Sequence, residues 1–215
     1  MSEKGLPSLL DRHWAESALA IGAVIIAAVS LWVAFDSERT NRALVASASW
    51  PFVELTSGEE TAEPRVLYLN ISNDGIGPAK LETFELFWQG KPQRSPWQLL
   101  HDCCAQGNGA AGQPGSVDAL RADYANLRTA SDQGIVLRAG ETIHLLAYIR
   151  NADNSPIWDA FESQYVRNLS VRYCYCSALN DCWLMTARIG ARRDLNPPKV
   201  SACQQPPAPY DNTRG

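Results

Sequence analysis

The spacing of apolar residues changes character twice along the chain. Ser17–Phe35 (SALAIGAVIIAAVSLWVAF) is one uncharged run of nineteen residues. At ~1.5 Å rise per residue it would span roughly 28 Å, close to the ~30 Å hydrocarbon core of a bilayer. Apolar residues cover every face of that helix, not a single stripe, which argues against a half-buried helix of a soluble core. Trp14, Trp32 and Phe35 lie near its ends, where amphipathic aromatics favour a membrane interface. A membrane-spanning helix is therefore expected over 14–35, after a short segment at 1–13. Asp36–Ala48 holds good helix formers and neither Gly nor Pro, so the helix should continue as a polar stalk over 36–49. Trp50-Pro51 should stop it, because a residue before proline is pushed out of the helical region. The run exceeds the apolar region of a cleaved signal, and no small-x-small site follows it closely, so the anchor should stay uncleaved.

Beyond Pro51 the period falls to two. Strands are expected at Trp50–Thr56, Arg65–Ser72, Ala79–Gln89, Gly134–Arg138, Glu141–Ile149, Asn168–Cys176 and Cys182–Ile189. Asn73-Asp74-Gly75-Ile76-Gly77-Pro78 is a dense turn signal, in which Gly75 and Gly77 permit positive φ and Pro78 fixes the exit. About seven short strands separated by turns suggest an immunoglobulin-like antiparallel β-sandwich over 50–194. A helical insertion is expected at about 93–133. Pro96–Cys103 should form a short helix, and Val117–Arg128 a second, with Leu120, Tyr124 and Leu127 on one face. The proline-rich tail, 195–215, should be extended.

Charge and cysteine content narrow the function. The formal net charge is −4 and no basic cluster occurs, which argues against nucleic acid as a partner. Lys4 and Arg12 precede the apolar run and Arg39 and Arg42 follow it, so the positive-inside rule gives no bias. The cysteines decide instead. All six (Cys103, Cys104, Cys174, Cys176, Cys182, Cys203) follow the apolar run, which points to disulfides in an oxidising compartment. The N-terminus should then be cytoplasmic and the main domain periplasmic, on the outer side of a bacterial inner membrane.

Val171–Trp183 (VRYCYCSALNDCW) carries the densest chemistry. Cys174 and Cys176 share one strand face. Cys176 and Cys182 can meet across a hairpin, leaving Cys174 to pair with Cys103, Cys104 or Cys203. Cys103 and Cys104 could form a vicinal disulfide, but pairing with distant cysteines is expected ahead of it. Alternatively, two same-face thiolates suit copper or zinc. Cys174-Tyr175-Cys176 resembles the Cys-Phe-Cys copper motif of cytochrome oxidase copper chaperones, which are membrane-anchored immunoglobulin-like domains. The likeness covers three residues. Gly-x-Ser-x-Gly, phosphate-loop and His-Glu-x-x-His fingerprints are all missing from the sequence. His101 and His144 have no sequence partner that marks a catalytic set.

Ser49-Trp50-Pro51-Phe52, Leu69–Ala79 (LNISNDGIGPA) and Val136–Leu146 (VLRAGETIHLL) together resemble a loose group of uncharacterised bacterial proteins. These have one N-terminal membrane helix and a small β-sandwich outside. The resemblance implies a fold and a membrane address, and no reaction. The resulting expectation is a non-catalytic, membrane-anchored envelope module. Its partner would be another envelope protein or its own copy, met at a sandwich edge or at the Leu120/Tyr124/Leu127 helix. The alternative is a thiol- or copper-handling protein using Cys174 and Cys176. No cofactor is expected on the first reading.

Overall fold

The computed structural model describes residues 9–105, 126–129, 134–192, 194–207 and 210. The chain divides into two compact units, Met1–Ser47 and Ala48–Gly215. The first is helix α1 (Leu9–Ala48), unbroken across the expected span and stalk. It is long and apolar enough to cross a membrane. Its large apolar side chains lie open, with Leu19 75% and Ile26 68% exposed.

The second unit is β-rich, with two antiparallel sheets. One has four strands in the order β1 (Val53–Glu60), β2 (Val66–Asn73), β7 (Thr142–Ile149) and β5 (Leu127–Thr129). The other runs β10 (Lys199–Val200), β9 (Cys182–Arg188), β8 (Leu169–Ser177) and β3 (Ala79–Trp88). On the free side of β3, β4 (Lys91–Gln93) pairs with Leu86–Trp88 and β6 (Ile135–Leu137) pairs with Ala79–Leu81.

Alternation decides which side chains face inward. Leu67, Leu69 and Ile71 of β2 are buried, and Val171, Tyr173 and Tyr175 of β8 oppose them in a core shared by both sheets. In β3 the strict alternation expected from sequence fails. A register shift between Leu81 and Thr83 lets both Leu81 and Phe84 face the core. A bulge of this kind inserts one residue and resets the phase of everything after it.

The Asp74–Pro78 turn is held by Asn73, which is fully buried. Its Oδ1 accepts from Phe52 N and Gly75 N, and its Nδ2 donates to Gly77 O and Leu137 O. The role expected for the glycines needs correction. Neither Gly75 nor Gly77 has a positive φ. They are glycines because of close approach: a Cβ on Gly75 would fall on Phe52 N, and one on Gly77 on Ser49 O. Ile76 N and Gly77 N donate to Trp50 O, so this turn fixes the chain where it enters the domain.

Helix α3 (Ser155–Asn168) was not expected from the sequence. Its signals were present: Pro156 in the first turn, and Trp158, Phe161 and Tyr165 at helical spacing. Trp158 and Phe161 are buried, and Trp158 Nε1 donates to Tyr148 O at 3.0 Å. The guanidinium groups of Arg65 and Arg150 both lie over the Trp158 ring. The Arg150 guanidinium beside Asp159 also holds that carboxyl below its ordinary range.

The insertion also differs from expectation. Helix α2 (Pro96–Leu100) is capped by Ser95, whose Oγ accepts from Gln98 N, and a π-helical turn (His101–Ala105) follows. Leu120 and Tyr124 lie outside the described residues. Leu127 and Arg128 belong to β5, not to a helix, and Leu127 is buried against the core. The pairing of β5 with β7 at Tyr148–Leu146 overrides the local helical pattern. The tail is anchored, not merely extended. Val200 pairs with Cys182, Cys203 is bonded to Cys174, and Tyr210 is buried edge-on to Phe84.

Candidate functional site

Two features of the β unit are candidates for function. The first is a sulfur cluster at the β8–β9 hairpin. Cys174 and Cys176 are two apart on β8 and point away from the core, on the face opposite Tyr173 and Tyr175. Cys182 stands directly across from Cys176, and Cα atoms 4.0 Å apart carry the Cys176–Cys182 bond. The intervening loop is fixed by Ser177, whose Oγ accepts from Leu179 N and Asp181 N, while Ser177 N donates to Asp181 O. Asn180 takes a positive φ of 61° and accepts from Lys80 Nζ at 2.7 Å. Lys199 at the start of β10 pairs with Asp181 at 2.6 Å, bringing the tail alongside. Cys203 then reaches Cys174, with Cα atoms 5.7 Å apart. The two bridges touch: Cys176 Sγ lies 3.6 Å from Cys203 Sγ. The sulfurs of Cys176, Cys182 and Cys203 all lie within 4.8 Å of one another. Cys174, Cys176 and Cys182 are buried, and Cys203 is half-buried.

The second feature is a groove of about 460 Å³ between β1 and β9. It is lined by consecutive residues, Phe52–Ser57 and Met185–Arg192, with Tyr173 between them. Side chains alternate faces along a strand, so a cavity bounded by unbroken runs is bounded by strand edges. The hydrogen-bond phase supports this. Asp74 N donates to Phe52 O, so in the alternating antiparallel pattern Glu54, Thr56 and Gly58 bond β2. The backbone groups of Val53, Leu55 and Ser57 therefore point outward. Val53 O does so and accepts from Tyr173 OH at 3.0 Å. On β9, Ile189 N donates to Leu169 O and Ser177 N to Asp181 O, so residues 183, 185 and 187 bond β8. Leu184, Thr186 and Arg188 point outward. Leu184 N is taken by Pro198 O, while β10 pairs only as far as Trp183. β1 is the terminal strand of its sheet.

Electrostatically the groove floor is neutral. Burial pushes the Tyr173 phenol up, with Tyr175 and Glu54 adding to the effect. Burial pushes Tyr175 up to about 12, with the Val53 backbone acting in the opposite direction. Both rings hold their protons at physiological pH, and Tyr173 lines the groove and donates to Val53 O. Glu54, Arg188, Arg192 and Asp194 add charges of both signs around the groove.

The remaining expected residues lie elsewhere. Cys103 and Cys104 are bonded to each other, correcting the expectation of distant partners. The reason is position. Their turn follows β4, which pairs with the Leu86–Trp88 end of β3, whereas Cys174 and Cys176 face Thr83 and Lys80 further along that strand. His101 Nδ1 lies 3.3 Å from Asp102 Oδ1 in that turn. His144 is on the outward face of β7, with Nδ1 2.8 Å from Asn70 Oδ1. The two histidines belong to different parts of the unit and do not form one constellation. The groove had no motif in the sequence, because it is made of edge backbone groups. Asp74, Gly75, Gly77 and Pro78 organise the β1 entrance and carry no chemistry of their own.

No protein-family model matches this chain, and no curated protein matches it.

Proposed function

We propose that the chain is a membrane-anchored, non-catalytic envelope module that holds an extended segment of another envelope protein between β1 and β9. The observation that carries this reading is the groove bounded by two strand edges. An extended peptide can add its backbone to such an edge and set alternate side chains into the space beside it. Leu55, Met185 and Ile189 offer the apolar wall, so the segment favoured there alternates apolar and polar residues.

The rest of the chain supports an address to match. Helix α1 is proposed as the single anchor, with residues 14–35 in the bilayer. Its Ser30 hydroxyl donates to Ile26 O, satisfying itself as an apolar environment requires. The paired cysteines support an oxidising compartment, and hence a periplasmic domain on a bacterial inner membrane. The strand orders β1-β2-β7-β5 and β9-β8-β3-β4 parallel the A-B-E-D and G-F-C-C′ sheets of immunoglobulin domains, which supports an immunoglobulin-like sandwich.

The test places a photo-crosslinking residue at Ser57 or at Thr186 in the full-length protein in its membrane. Val136, 53% exposed on β6, serves as the control position. The reading expects one adduct of the same mass from both groove positions and none of that mass from Val136. An identical adduct from Val136, or none from either groove position, overturns it. A second reading, copper or thiol handling, is favoured by the three sulfurs within 4.8 Å. It requires those thiols to be free in the purified full-length protein, and a copper titration with thiol counting decides it.

A further inference from the structure

The two bridges at the β8–β9 hairpin are close enough to exchange partners. We propose that Cys174–Cys203 and Cys176–Cys182 form one thiol–disulfide exchange unit, opened by a dithiol, that moves the tail from Cys174 to Cys176. The inference takes the cysteines as paired and needs neither the groove reading nor a metal.

The chemistry follows from burial and contact. Cys174, Cys176 and Cys182 are 1%, 5% and 4% exposed, whereas Cys203 is only half-buried. An incoming thiolate therefore meets Cys203 first. Exchange proceeds by attack of a thiolate on one sulfur of a disulfide, with the other sulfur leaving. In the first step a thiolate of the dithiol bonds to Cys203 Sγ, the Cys174–Cys203 bond breaks, and its electron pair goes to Cys174, which takes a proton. The second thiol of the dithiol then attacks its own partner sulfur, closes to a cyclic or paired disulfide, and releases Cys203 as thiolate. The dithiol has lost two electrons and the tail bridge has gained them. In the last step Cys203 attacks Cys176 Sγ, its neighbour at 3.6 Å in the oxidised domain. The Cys176–Cys203 bond forms, the Cys176–Cys182 bond breaks, and the pair of electrons leaves on Cys182. Once the dithiol has left, the four cysteines hold one disulfide and two thiols, both before and after this last step.

The result differs physically from simple reduction. The tail stays tethered, but its tether has moved two residues along β8, roughly 7 Å at the usual strand rise. With Cys174–Cys203 intact, Val200–Ala202 and Gln204–Pro207 wall a cleft of about 410 Å³ over Arg172, Glu85 and Cys174 on the outer face of the sheet. Within it Arg172 is paired with Glu85 at 2.6 Å, and a shifted tail would open that ion pair to solvent. Lys199–Asp181 and Val200–Cys182 sit on the hairpin itself and would be disturbed when Cys182 is released.

The test uses Cys174→Ser in the full-length protein in detergent, which leaves Cys203 as a thiol beside the intact hairpin bridge. The protein is held folded at neutral pH, quenched in acid, alkylated and mapped by peptide mass. The proposal expects a Cys176–Cys203 peptide, with label on Cys182, in at least a tenth of the molecules. Label confined to Cys203, with Cys176–Cys182 fully retained, overturns it. Should that variant fail to fold, Cys182→Ser asks the same question from the other side. It leaves Cys176 free beside Cys174–Cys203. Exchange then labels Cys174, and its absence leaves label only on Cys176. In the wild-type chain, one equivalent of dithiothreitol should label Cys174 and Cys182. Label on Cys174 and Cys203 alone contradicts the proposal.

Discussion

Proline substitutions at two adjacent residues of β9 test whether its outer edge is used. Along this strand the backbone bonds alternate, with Ile189 N on Leu169 O at one end and Ser177 N on Asp181 O at the other. Ala187 lies opposite Val171 in the bonded phase, and Thr186 lies opposite Arg172 in the non-bonded phase. Proline at 187 deletes a donor that β8 uses. It leaves the Val171 carbonyl stranded in a buried ladder, at about 1–3 kcal/mol. Proline at 186 deletes a donor that points into the groove, and edge positions of this kind tolerate proline. For a unit of this size ~1 kcal/mol moves Tm by roughly 2–4 °C. Thr186→Pro should therefore melt within about 3 °C of wild type, whereas Ala187→Pro should lose about 5 °C or more. Calorimetry of the full-length protein in detergent reads both. In membranes, Thr186→Pro should cut the crosslink from Ser57 at least tenfold while leaving the fold intact. If Thr186→Pro melts as early as Ala187→Pro, the bonding phase deduced for β9 is wrong. If it stays folded and keeps the full crosslink, no partner strand uses this edge.

Three further outcomes follow from the packing. Asn73→Ala removes four hydrogen bonds around the Asp74–Pro78 turn. At about 1 kcal/mol or more for each stranded buried group it should cost several kcal/mol, read by chemical denaturation. Gly77→Ala drives a methyl onto the Ser49 carbonyl and should lower Tm by several degrees, although an alanine here meets no φ penalty. Alkali should destabilise the domain. The folded Tyr175 phenol holds its proton to about 12 and Tyr173 is raised in the same direction, while unfolded tyrosines ionise near 10. The protons are then favoured in the native state, so this stability is full below about pH 10 and is lost as pH rises toward 12. A flat denaturation midpoint between pH 9 and 12 would contradict the burial of these rings.

The elements legible in the sequence were those whose pattern depended on one neighbour. β2 alternates cleanly because one of its faces meets the core, and α1 is apolar on every side over Ser17–Phe35. Elements set by distant contacts were harder to read. Leu127 and Arg128 follow a helical spacing yet pair with β7, since tertiary pairing overrides a weak local preference. The bulge in β3 put Leu81 and Phe84 on one side, which no strict period of two could show. Helix α3 carries readable signals in Pro156, Trp158 and Phe161, yet it interrupts a series of period-two strands. The cysteine hairpin was visible from spacing because Cys176 and Cys182 flank a short loop. The contact between bridges was not, because it needs the tail brought back by Lys199 and Asp181. The groove was invisible for a different reason: it is built from outward backbone groups, which every residue type possesses.

The proposed periplasmic address requires the cysteines to be paired in cells. The most direct measurement is the thiol count of the full-length protein in intact cells. Cells are treated with a permeant alkylating reagent, and the protein is weighed before and after reduction. All six cysteines should escape alkylation until the protein is reduced, placing the domain in the oxidising compartment. Six alkylated cysteines without reduction would put the domain in the cytoplasm and contradict the anchored periplasmic module.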